Sequence, residues 1–451
     1  MGLFAWSTGA SNRFIDVLGH CGFTSSLKSI SKVVEHLANS SINEAIELAD
    51  QYPHGIAYDN VNMSHSEHVE QRPDGPPKVQ SGTFTLVYRL YNARHRDMLI
   101  EPMLERLRVS PGLSVADITA TSAQHETFHR QRLVHIVNIL TSHSQPFQHY
   151  ANDVDLRHIP QRPLPRNLKT KFCALRIAGI EENSTTGQIL VQDDIYINQL
   201  KHSDPMRRQR LKMYAIPTLV DQLTLARCRS AVELREGDVD AWETREVLQL
   251  GMGLFHLNMN LLWGLLNTHR GSVNTTGSLA YFFAVLDKRR LAREKPDYHS
   301  LLMAMMQILD GAILNAWTSE CGFPSLQDFA DTKPTAAELL AVAEKIYKAH
   351  IDVNSTEDLD SNIGSSYSSN SGSASESDSR DVAQHNLKLL IRDLLYVREL
   401  TQAISDGDFG RIECIFPDLC RMFRGAGSTN YANEILHFLH SIKKVWTPAF
   451  A

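Results

Sequence analysis

Cysteine is scarce. The chain has six cysteines in 451 residues and no CxxC pair, which argues against a disulfide scaffold or a zinc ribbon and points to a reducing compartment. Positive charge is not in excess either. With 45 Lys+Arg against 51 Asp+Glu, the net charge is 45 − 51 = −6. That excludes a histone-like or polybasic protein but leaves room for local basic patches. No apolar run reads as a membrane span, because the longest, Leu250 to Leu266, carries His256, Asn258 and Asn260. The opening MGLFAWSTGAS has no charged n-region and no clean cleavage site, so secretion is not expected. Trp6 also stands where a myristoylation signal needs Ser or Thr. There is no dinucleotide fingerprint and no G-x-S-x-G elbow, and MFRGAGSTNY (422–431) lacks the Lys and the spacing of a P-loop. What remains is an ordinary globular composition, 43% apolar and 21% charged, long enough for two or three domains.

The pattern along the chain predicts five regions. Residues 1–50 form an N-terminal helical segment, with SISKVVEHLANSSINEAIELAD at helical spacing. Residues 51–230 form the first part of an α/β core. Here HGIAYDNVNM and TFTLVYRLY read as strands able to pair as a hairpin across a long Pro/Gly-rich loop. KFCALRIAGI and GQILVQDDIYINQL are expected to hold further strands. Ala215 to Val220 reads as a strand running into a helix, with Pro217 either arguing against the strand or placing it at an edge. Residues 231–350 form a helical insertion that includes AWETREVLQL and LFHLNMNLLWGLLNTH. Residues 351–382 form an acidic, serine-rich disordered loop, with ten serines in the nineteen positions 361–379. Residues 383–451 are C-terminal helices returning to the core.

Three constellations could carry chemistry. The first is a set of dispersed carboxylates. Asp59 follows the apolar run IAY, Asp221 follows IPTLV, and Glu434 lies in the helical YANEILHFLH. Two strand-end aspartates and a helix-borne glutamate suit divalent ions that clamp the oxygens of phosphoryl transfer. The plain alternative gives Asp59 a turn to hold, Asp221 a helix to cap and Glu434 a partner on a solvated face. The second is FHLNMNLLW, where His256 and Asn260 share a helical face and either orient a carboxylate or phosphate or bond within a core. The third is HETFHRQRLVH, in which His125, Glu126 and His129 match HExxH. His135 lies six residues beyond His129, off that face of an unbroken helix, and cannot close a zinc site with the other two. Basic stretches at 162–171, 206–212 and 288–295 could touch phosphate or be solvated faces.

The segments YDNVN (58–62), VQSGTFTLVY (79–88), DQLTLARCR (221–229), FHLNMNLLW (255–263) and FRGAGSTNYANEILHFL (423–439) resemble the domain of unknown function 6589 of mushroom-forming fungi. The resemblance covers nearly the whole chain. The order of an Asp in YDN, an Asp in DQLT, a helical stretch with H-x-x-x-N and a late Glu is similar to the layout of hAT-type transposases. It implies an α+β, helix-dominated fold with a ribonuclease-H-like core interrupted by a large helical insertion. It further implies Asp59, Asp221 and Glu434 as catalytic metal ligands for Mg or Mn, with His256 and Asn260 as helpers. The expected protein is mobile-element-derived, intracellular and nuclear, with DNA as partner and Mg-dependent strand cleavage or transfer as its chemistry. The alternatives are a non-catalytic DNA- or protein-interaction module and a zinc metalloprotease at HETFH.

Overall fold

The computed structural model describes residues 1–64, 79–293, 295–353 and 376–451. The long loop after the first strand and most of the serine-rich segment expected to be disordered lie outside the described residues. In chain order the helices are α1 (Gly2–Ser7), α2 (Asn12–His20), α3 (Leu27–Gln51), α4 (Glu101–Val109), α5 (Ser122–His143), α6 (Thr185–Asp193), α7 (Pro205–Met213) and α8 (Gln222–Leu234). They continue with α9 (Leu254–His269), α10 (Leu279–Val285), α11 (Tyr298–Glu320), α12 (Leu326–Asp331), α13 (Ala336–His350), α14 (Glu376–Asp406), α15 (Phe409–Gly425) and α16 (Thr429–His440). The strands are β1 (His54–Ser64), β2 (Val79–Arg89), β3 (Phe172–Ala174), β4 (Ile216–Val220) and β5 (Leu248–Met252). The fold is α+β and helix-dominated.

The chain divides into two units. The first comprises Met1–Gly112, Lys169–Gly253 and His440–Ala451 and contains the sheet. Its strand order is β3-β2-β1-β4-β5. The β1/β2 and β2/β3 pairs are antiparallel, and the β1/β4 and β4/β5 pairs are parallel. Alternation makes these segments strands. Thr83, Thr85 and Val87 of β2 are buried, while Phe84, Leu86 and Tyr88 between them are half-buried. Helices α6 and α8 pack on each other and are keyed to β1 by a polar contact. The buried Tyr58 hydroxyl donates to Gln188 Oε1 at 2.8 Å and accepts from Gln192 Nε2 at 3.3 Å.

Three local expectations need correction. GQILVQDDIYINQL is helical, because its buried residues Gln188, Val191, Gln192, Ile195 and Tyr196 follow a helical stripe with two glutamines in it. In AWETREVLQL the expected helix is replaced by turns and then by β5, a parallel strand too short to show a period. Pro217 sits in an interior strand, not an edge. Ile216 donates its N–H toward β5, to Val247, at 2.7 Å. The missing donor of Pro217 therefore faces β1, just ahead of the β1/β4 pairing, which starts at Thr218.

The second unit, Leu113–Leu168 with Leu254–Leu439, is helical. α5 is its centre and is touched by α11, α13, α14 and α15. α11 is long and apolar enough to cross a membrane by length and composition. Its buried residues Leu301, Ala304, Met305, Ile308, Leu309, Ile313, Ala316 and Trp317 recur at helical spacing, and the Trp317 indole donates to Ile136 O of α5 at 3.1 Å. It is a core helix of this unit.

Candidate functional site

The first unit brings two of the expected residues together. The parallel register pairs Ile56 with Thr218 and Ala57 with Leu219. Asp59 lies two residues beyond the last residue of β1 paired with β4, and Asp221 directly follows the last residue of β4. Both therefore stand near the carboxyl ends of the paired stretch, and the charges of both act on Glu182. Here β4 leaves the sheet to begin α8, while β1 continues paired only with β2. The carboxyl ends of parallel strands are where open α/β sheets place ligands. Asp59 is exposed, and its Oδ1 accepts from the Asn60 N–H at 2.8 Å. Asp221 is half-buried and caps α8, its Oδ1 accepting from the Thr224 N–H at 2.7 Å.

A third acid joins them that sequence reasoning missed. Glu182 lies between β3 and α6, on a loop held along β2 by Thr83, whose hydroxyl donates to Ile180 O at 2.9 Å. It is 4% exposed. Its Oε1 accepts a long bond from the Thr224 hydroxyl, 3.4 Å, and its Oε2 is buried with no hydrogen-bond partner. Burial first, then the charges of Asp221 and Asp59, push its pKa up to about 7, and the Thr224 hydroxyl and the Asn60 N–H offset only part of this. A buried, unpaired carboxylate oxygen beside two further carboxylates is the donor set a hard divalent cation satisfies. Nothing in GIEENSTTGQ singles Glu182 out in the sequence, because it belongs to no periodic element.

The remaining expected residues belong to the second unit. Asn260 of α9 donates to its own helix at His256 O, 2.9 Å, and to the Tyr431 hydroxyl of α16, 2.8 Å. Glu434 lies one turn beyond Tyr431 and is 3% exposed, so the solvated-face alternative for it fails. His256 is half-buried. α9 and α16 thus bring the two helper residues and the late glutamate into one region of this unit.

The HETFH motif falls on α5 and does not assemble as a protease site. His125 and Glu126 are exposed. His129 Nε2 bonds Glu344 Oε2 at 2.7 Å, and its ring stands edge-on to Tyr347. His135 turns into the core, where its Nε2 bonds Glu399 Oε2 at 2.7 Å. Among the basic stretches, 206–212 is largely spent within its own unit, with Arg207 on Asp50, Arg208 on Glu243 and Lys212 on Asp240. Arg289, Arg290 and Arg293 of the 288–295 stretch are exposed.

Residues 108–451 match the profile of the family of unknown function DUF6589, which is more than half of the chain, so the chain belongs to that family. No curated protein and no solved structure matches it.

Proposed function

We propose that this family member is a mobile-element-derived fungal protein whose acidic site served Mg- or Mn-dependent cleavage or transfer of DNA strands in the nucleus. The observation that carries the reading is the convergence of Asp59, just past the stretch of β1 paired with β4, and Asp221, just past the end of the parallel β4, on the buried Glu182, whose pKa their charges raise. The strand order β3-β2-β1-β4-β5, with β2 and β3 antiparallel and β4 and β5 parallel to β1, supports a ribonuclease-H-like core. The long helical stretch between β5 and Glu434 supports the hAT-type layout. In this reading Asp59 and Asp221 hold the ions, and Glu182 of the same unit is the third carboxylate. Divalent ions there would supply the Lewis-acid charge that activates a water or hydroxyl and stabilises the leaving oxygen. The chain's own part is to hold the carboxylates on rigid strand ends, with Asp221 oriented by its cap bond and Glu182 shielded from solvent.

The test is calorimetric titration of the full chain with Mn²⁺, comparing the parent with Asp59→Asn, Asp221→Asn and Glu182→Gln. Binding in the parent that disappears in both aspartate variants is the expected result. Its loss in Glu182→Gln as well identifies the third ligand. No heat of binding at millimolar Mn²⁺ would overturn the reading and leave a non-catalytic interaction module as the account of the fold.

A further inference from the structure

The residue of the HETFHRQRLVH segment that closes no protease site has found other partners. His135, His158 and Glu399 place one nitrogen or oxygen each within 4.8 Å of one another, all in the helical unit. His135 is 2% and Glu399 1% exposed, and the two imidazole rings lie 4.3 Å apart.

The protons of the cluster are arranged for a ligand. Gln131, itself 1% exposed, donates its Nε2 to Ile159 O at 2.8 Å, so its Oε1 faces His158. His158 Nδ1 therefore donates to Gln131 Oε1, at 2.7 Å. The lone pair is left on His158 Nε2, which is buried and has no hydrogen-bond partner. An imidazole whose far nitrogen donates to an oriented acceptor is the arrangement found around metal-binding histidines. Burial and the neighbouring His135 hold His158 neutral, its pKa pulled down to about 2. Glu399 is oriented from behind by Arg411, whose Nε and Nη2 reach its two oxygens at 2.9 and 2.7 Å. Asp406 also bonds Arg411, so two carboxylates stand against its single positive charge.

We infer that His135, His158 and Glu399 form a structural site for a divalent transition-metal ion of imidazole and carboxylate preference, with Zn²⁺ the fitting ion. Zn²⁺ takes nitrogen and oxygen donors at about 2.0–2.2 Å, which sets tetrahedral donors about 3.4 Å apart. The His135–Glu399 contact, 2.7 Å, must open by under 1 Å, and the His158 donor, within 4.8 Å of the other two, must close in by up to about 1.4 Å. Neutral His135 moves its proton from Nε2 to Nδ1 when Nε2 takes the ion. The half-buried His158, next to the exposed Arg157 and Ile159, marks the side from which the ion reaches the core. Bound there, it ties α5 to the segment that follows it and to α14. Neither the site nor its ion is shared with Asp59 and Asp221.

The test uses the full chain stripped with a chelator. Co²⁺ is added and followed by its visible d–d absorption, then displaced with Zn²⁺, and the thermal midpoint is measured with and without Zn²⁺. One Co²⁺ per chain, displaced by Zn²⁺ and accompanied by a higher midpoint, is expected. His158→Ala abolishes both effects, and Gln131→Leu, which removes the acceptor of the His158 proton together with the bond to Ile159 O, weakens binding about 10–100-fold. Asp59→Asn leaves the signal intact, which separates this site from the acidic one. Absence of Co²⁺ absorption in the parent overturns the inference, as does equal Zn²⁺ binding in His158→Ala. If His158→Ala fails to fold, unchanged affinity in Gln131→Leu does the same.

Discussion

Glu182 carries an unfavourable charge in the first unit. In the folded chain its pKa is about 7 against an ordinary 4.5, so the folded state binds the proton more tightly than the unfolded state. The proton's contribution to stability is complete below about pH 4.5 and is lost as pH rises through 7. Each tenfold in proton affinity is about 1.4 kcal/mol, which puts the loss near 3 kcal/mol by pH 8. Metal-free protein is therefore expected to lose denaturant resistance between pH 5 and pH 8. Glu182→Gln should flatten that slope, and Mn²⁺ should flatten it in the parent. Urea midpoints at the two pH values measure both, and an equal slope in parent and variant would remove Glu182 from the acidic site. The importance of Glu182 was not legible from the sequence, because a loop acid gains its meaning only from what the fold puts beside it.

At the scale of elements, Asp221 has two jobs that substitution separates. It caps α8 through Thr224 and it adds charge to the acidic end of β4. Asn is as good an N-cap as Asp, whereas Ala is not. Asp221→Asn should keep stability within about 0.5 kcal/mol and lose Mn²⁺ binding, while Asp221→Ala should lose about 1 kcal/mol as well. Equal destabilisation by the two in urea unfolding would contradict the cap. The strand-to-helix step at β4–α8 was readable because β-branched residues and a capping Asp are local signals. The α6 segment was not, because Gln188 and Gln192 occupy core positions of its helical stripe and bond Tyr58 and Cys228 of other elements. β5 escaped because LQLGM is five residues long and needs β4 beside it to be a strand.

Over the whole molecule, a net charge of −6 means that DNA affinity must come from local cations. Arg289 and Arg290 are exposed and have no ion-pair partner among the described residues. With DNA as the proposed partner, the double variant Arg289→Glu with Arg290→Glu should bind duplex more weakly at every sequence. It should also flatten the dependence of log affinity on log salt by about 2. Fluorescence anisotropy across a salt series reads both effects, and an unchanged slope would place the phosphate contacts elsewhere. The variant leaves the acidic site untouched, so a loss of DNA binding with intact Mn²⁺ binding assigns the two functions to different residues.

The sequence by itself determined the local terms: the cap at Asp221, the alternation of β2, the helical stripes of α3 and α11, and the position of Asp59 and Asp221 just beyond apolar runs. These follow from bonds and periods within a few residues. Only the tertiary structure decided which distant residues meet. It set β1 beside β4, so that Asp59 and Asp221, separated by 161 residues of sequence, both act on one buried carboxyl, Glu182. It brought Glu182 within reach of both charges, and it set His158 and Glu399 against His135. Such meetings depend on the burial of whole elements against one another, a sum over many weak contacts that no short window of sequence contains.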